Sequence, residues 1–179
     1  LFSTEGCGGH AVAVLIAAFG GLPMGLVQSI VDAAYEHIVC LPLDLARSEK
    51  AKLDLCLKLL RENGLIYTPA DISVGCGGKQ VIYNALAATL NEGDQVIVPA
   101  PYWVSYPEIV QLCGGEPRIV TCDAASGFKL TAQLLAAAIT PQTRWLILNA
   151  PSNPTGAVYS RDELAALAAV LEEFPDVLV

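Results

Sequence analysis

The sequence predicts an α/β fold, a mostly parallel sheet with helices on both faces. Three observations carry this. From Ile72 onward, strand-like and helix-like segments alternate, the pattern of successive βαβ units. Gln95 to Val98 is an unbroken run of Val and Ile after one Gln, as in a strand covered on both sides. The connections are short and built from Gly, Pro and Asn, which end helices and strands.

The elements follow in order. Ile30 to Val39 and Lys50 to Asn63 have helical patterning, and Gly64 stops the second. Cys40 to Ala46, with Pro42, takes no clear assignment. Ile72 to Val74 is a short strand running into Gly75-Cys76-Gly77-Gly78. Lys79 to Leu90 is a helix with apolar residues at 81, 82, 85, 86 and 90, one face of a helix. Asn91 to Asp94 is a turn, and Gln95 to Val98 a buried strand that Pro99 to Pro101 should break. A helix begins near Ser105 and stops at Gly114-Gly115. Pro117 to Thr121 is a strand. Leu130 to Ile139 is a helix, and Arg144 to Leu148 a strand. Asn149 to Gly156 is a loop. Ser160-Arg161-Asp162-Glu163 matches a capping box and opens a helix to about Phe174. Val177 begins one more strand. No internal repeat or low-complexity segment is present.

Composition narrows the function. The chain has 179 residues, 54% hydrophobic and 16% charged, with net charge −8 and mean hydropathy +0.50. Such a chain has a core and is not a disordered tail. The acidic balance excludes a nucleic-acid partner, which requires a basic footprint. Six Cys without a CxxC pair and only two His argue against zinc. Reduced, cytoplasmic thiols are expected. Between Glu5 and Asp32 no residue is formally charged. Gly20, Gly21, Pro23 and Gly25 break that stretch and no basic residue precedes it, so neither a membrane span nor a signal peptide is expected. The chain opens on Leu and closes inside an apolar run, and is read as a fragment.

Ligands of open α/β sheets bind at the carboxyl ends of strands, and three loops stand there. In Gly75 to Gln80, paired glycines at a helix start suit an anion such as phosphate; the plain alternative is a tight turn. In Pro99 to Trp103, Trp103 can stack on a flat ring or simply cap the sheet. In Asn149 to Gly156, an Asn amide can donate to a phenolate or carboxylate, or serve only Asx turns. The pattern is neither GxGxxG with its later acidic residue nor a Walker loop, which weakens the reading as a nucleotide-binding domain.

Taken together, about 25 and 50 residues apart, the loops say more. The stretches "ISVGCGGKQVIYNALAATLNEGDQVIVPAPYWVSYPEIV" and "LILNAPSNPTGAVYSRDEL" resemble the class I aminotransferases, pyridoxal 5′-phosphate enzymes of fold type I. The likeness is greatest to the aspartate and aspartate/prephenate branch, and it runs from Lys58 to Val179. The resemblance implies that residues 58–179 are part of the large, cofactor-binding domain, with residues 1–57 a poorly matching N-terminal segment. It implies that backbone N–H groups at Gly77, Gly78 and Lys79 hold the cofactor phosphate. Trp103 would stack on the pyridine ring and border the substrate, and Asn153 would bond the 3′-oxygen and touch the substrate carboxylate. Cys76 stands where the family often has a small hydroxyl residue. The implied reaction moves an amino group from an L-amino acid, aspartate or glutamate, to a 2-oxo acid in a homodimeric parent enzyme.

The departures are as informative. The family's Gly-Glu-Pro-Asp segment is missing, with Gly21-Leu22-Pro23-Met24 the nearest text. Tyr67-Thr68-Pro69 is similar to a later family segment and takes no role. Yet Ser29 to Ile38 is similar to a family helix. Family-like text beside unlike text predicts a frame-shifted or misassembled reading frame around residues 1–28 and 39–55. The family's cofactor-bearing Lys lies beyond Val179, so no catalytic residue is assigned and the chain by itself is expected to be inactive. The rival reading is a truncated α/β fragment without ligand.

Overall fold

A computed structural model of the chain describes residues 13–16, 48–75 and 77–179. The chain divides into two units, one ending at Ile82 and one running from Tyr83 to Val179. The expected helix at 30–39, the 40–46 segment and Cys76 lie outside the described residues, as does most of the region read as frame-shifted.

In the first unit, β1 (Ala13–Ile16) pairs antiparallel with β2 (Ile72–Gly75), Ala13 opposite Gly75 and Ile16 opposite Ile72. Among the described residues β2 therefore belongs to no parallel ladder, a departure from the parallel crossover expected of it. Helix α1 (Glu49–Asn63) starts where the Ser48 side chain accepts from the Ala51 N–H. It ends because Gly64 takes φ +68 and its N–H turns back to Leu60 O at 3.2 Å, a left-handed cap that glycine adopts without penalty. Cys56, Leu59, Leu65, Ile72 and Val81 are buried. Helix α2 (Gly78–Thr89) crosses the division between the units.

The second unit is a three-stranded parallel sheet of order β4-β3-β5, with β3 (Gln95–Ala100), β4 (Glu116–Thr121) and β5 (Thr143–Leu146). Leu178 extends it by a parallel bridge to Trp145, all that forms of the strand expected from Val177. Central β3 runs on through Pro99, where a break was expected. Ile97 O accepts from Ile147 N–H and Ala100 O from Cys122 N–H, so odd residues of β3 face β5 and even ones face β4. The missing N–H of Pro99 thus points to the β5 side, where pairing has ended at Leu146, and no ladder bond is lost.

Helix α3 (Ser105–Leu112) packs on β3 and β4. Ile97 and Leu146 share a core with Leu135 of α4 (Ala132–Ala138) and Leu167 of α5 (Arg161–Leu171). Val96 and Val98, also fully buried, point to the opposite face by strand alternation. The sheet is thus covered on both faces. Helix α4 is shorter than expected, because the Thr131 side chain accepts from Leu134 N–H and fixes the start at Ala132. The capping box at Ser160 forms: its Oγ accepts from Glu163 N–H while Glu163 accepts from Ser160 N–H.

Candidate functional site

The chain leaves β3 towards β4 and leaves β5 towards Leu178, on the opposite side. The two connections diverge and open a crevice at the carboxyl ends of β3 and β5, the usual ligand position in such sheets. A small cavity, open to solvent, lies there. Pro101 and Tyr102 line it from the loop after β3, Asn149 and Asn153 from the loop after β5, and Tyr106 and Tyr159 from beside them.

The loop after β5 is held from within. The Asn153 N–H donates to Asn149 Oδ1 at 2.8 Å, and Gly156 N–H to Ser152 O at 2.7 Å. Asn149 thereby does the Asx-turn work. The Asn153 carboxamide is exposed and, among the described residues, makes no hydrogen bond. The bonds Ala100–Pro101, Ala150–Pro151 and Asn153–Pro154 are cis.

Trp103 does not line the cavity itself. It is half-buried and sets its ring edge-on to Tyr106, centroids 5.5 Å apart and planes at 85°. Tyr106 in turn forms the cavity wall. Burial pushes the Tyr106 phenol up to about 12. Burial does the same to Tyr159, also about 12, although its oxygen accepts from the Leu130 N–H at 2.9 Å. Both phenols therefore stay neutral at physiological pH and serve as walls and dipoles, not charges. Beyond Tyr159, Lys129 pairs with Glu163, and the Lys129 hydrogen bond holds the Glu163 carboxyl below its ordinary range.

Gly77, Gly78 and Lys79 belong to the first unit and are described by themselves. Gly77 takes φ +92, and a Cβ there would meet nothing within 4 Å. Backbone conformation, not crowding, requires glycine. At Gly75 the reason is space: a Cβ would lie 2.8 Å from Val81 Cγ2, so the end of β2 abuts the start of α2. Gly78 is the first residue of α2 and Lys79 is exposed in its first turn. N–H groups of a first helical turn have no partner within the helix and favour an anion. Among the described residues no His, Cys, Asp and Glu cluster could hold a metal, and no helix is long and apolar enough to cross a membrane.

Sequence reading placed Trp103 and Asn153 on loops at the carboxyl ends of strands, where they stand, and the sheet makes those two strands neighbours. It did not find Tyr106, Phe128 or Tyr159, which also line the cavity. Tyr106 and Tyr159 flank helix starts and carry no local pattern. The one signal for Phe128 is the Gly before it.

This architecture defines an α/β protein with an open crevice at the switch point of a parallel sheet. The sequence model described as "Aminotransferase class I and II" matches residues 30–179, and the chain belongs to that family. It is 61% identical over 128 residues to the aspartate/prephenate aminotransferase of Cereibacter sphaeroides, covering 72% of this chain and 32% of that protein. It is 54% identical over 120 residues to the aspartate aminotransferase of Rhizobium meliloti, covering 67% and 29%. The crystal structure of an aspartate aminotransferase from Rhizobium meliloti superimposes with TM-score 0.69 at 41% identity, over 91% of this chain and 42% of that one. That of Thermus thermophilus with maleate gives 0.68 at 38% identity, over 84% and 40%. The chain thus spans about a third of the length of the first two relatives.

Proposed function

We propose that the chain carries part of the cofactor site of a pyridoxal 5′-phosphate-dependent aminotransferase. The enzyme would move an amino group from aspartate or glutamate to a 2-oxo acid. The observation that supports this best is the exposed, unengaged Asn153 carboxamide beside the aromatic wall of the β3–β5 crevice. The printed names of the relatives favour the substrates. The residues fit the group. The Asn153 amide would donate to the ring's phenolic oxygen. Trp103, braced on Tyr106, would present a flat ring to a flat ring and border the substrate. Backbone N–H groups at Gly77, Gly78 and Lys79 would take the phosphate at a helix start, with the Lys79 ammonium assisting. When bound, the cofactor supplies the carbonyl that receives the amino group and the electron sink for the bond broken at Cα.

In this reading residues 58–179 are part of the large domain and residues 1–57 an N-terminal segment. The parent enzyme is a cytoplasmic homodimer. The family's cofactor-bearing lysine is none of the five at 50, 52, 58, 79 and 129, so the chain alone binds but does not turn over. The test titrates the 179-residue chain with pyridoxal 5′-phosphate, following tryptophan fluorescence. Saturable quenching, weakened by Asn153→Ala and reduced by Trp103→Phe, is expected. Non-saturable quenching, unchanged in both variants, would leave the ligand-free fragment as the better reading. Borohydride reduction followed by mass spectrometry tests the lysine statement: one stoichiometric adduct together with an amino-acid half-reaction would overturn it.

A further inference from the structure

Phe128 is the one non-glycine residue with positive φ among the described residues, at +59°. For a bulky side chain this is a true outlier, more costly than the same backbone at glycine. Such strain persists only where the surroundings over-determine it, and here they do. The Phe128 N–H donates to Asp123 O at 2.8 Å. Asp123 Oδ1 also accepts from Ser126 N–H, and Gly127 is itself left-handed at φ +63. On the other flank, Leu130 N–H is fixed by the Tyr159 oxygen, and Lys129 is paired with Glu163. Two consecutive left-handed residues are thus clamped between a one-turn 3₁₀ helix and the entry of α5.

Nothing in the fold repays this strain by burial, for Phe128 remains 45% exposed. A core role would bury the ring. Phe128 instead lines the same cavity as Asn153. Tyr159 lines that cavity too while holding the Phe128 loop, so one phenol couples the loop after β5 to the loop before α4.

We propose that Phe128 is a ligand-contacting wall of the cavity, and that the strained backbone at 127–128 exists to aim its ring there. Tyr159 is the positioning residue that acts through it. The proposal rests on the reading above only for the identity of the ligand, a flat aromatic ring bearing an oxygen.

The experiment uses the full chain, pyridoxal 5′-phosphate as the probe, and Phe128→Gly, Phe128→Ala and Phe128→Tyr. Removing one aromatic wall should weaken binding roughly three- to tenfold in both Gly and Ala variants, while Tyr keeps it. Thermal melting without ligand separates strain from contact. Glycine ordinarily destabilises relative to alanine, but at positive φ the order inverts, so Phe128→Gly should melt above Phe128→Ala. Tyr159→Phe, which removes the oxygen but keeps the ring, should weaken the ligand in wild-type Phe128 and have no further effect in Phe128→Gly. Binding unchanged in all three Phe128 variants, or Ala melting at or above Gly, overturns the proposal while wild-type binding still stands. Failure of the wild-type chain to bind instead overturns the cofactor reading, and the ligand-wall role falls with it.

Discussion

The two units bury their apolar residues in different ways. In Tyr83–Val179 the central strand presents Val96, Ile97 and Val98 with no exposure at all, covered on both faces. In the first unit, α1 leaves Leu53, Leu57 and Leu60 each 47% exposed. The two-stranded β1–β2 pair is antiparallel, and β2 is buried only at Ile72 and Gly75. Hydrophobic composition alone does not make a core. Val96 to Val98 count because neighbours on both sides hold the strand and helices close both faces, whereas leucines spaced along α1 lack that enclosure.

The largest way to break this contrast is Ile97→Ala. It leaves a cavity between sheet, α4 and α5 and should cost about 2–5 kcal/mol, read as a lower denaturant midpoint with unchanged slope. A loss below about 1 kcal/mol would mean that the sheet relaxes freely and that the contrast is false. The next effect tests whether the units share local rules despite unequal packing. Ser160→Ala and Ser48→Ala each remove a helix cap, and each should cost about 1 kcal/mol. Asparagine at either position should restore the loss. A much smaller loss at Ser48 would show that α1 frays independently of its cap.

Acid should act on the second unit in a definite sense. Backbone donation from Asn91 lowers Asp94, with Arg144 assisting, and Lys129 and Ser160 lower Glu163. Carboxyls depressed in the folded state add stability above their unfolded values near about 4, and that stability is lost as pH falls through the folded values. The melting temperature should therefore hold from neutrality to about pH 5 and fall below it. In Glu163→Gln the fall should be shallower, and an unaltered slope would remove the ion pair from the account. Smallest of all, Leu57→Lys on the exposed side of α1 should change stability by less than about 0.5 kcal/mol. A large loss would show that the α1 leucines are covered in solution.

How much of this was legible in the sequence follows from how far apart the deciding atoms lie. Ser160 with Glu163, and Gly64 after α1, were readable because a cap is settled within four residues. The strand-loop-helix order, and with it the placement of Trp103 and Asn153 on loops that follow strands, was readable because period and punctuation are local too. Pro99 was misjudged as a break because whether a missing N–H matters depends on which neighbour it faces, and β5 lies some 50 residues on. The antiparallel pairing of β2 depends on β1, which is likewise remote. Phe128, Tyr106 and Tyr159 became visible as cavity walls only once the fold brought three separate loops to one crevice. Short-range hydrogen bonds and periodicity were written in the chain itself, whereas the walls of the site were decided by strand order, because only the closed sheet sets which loops meet.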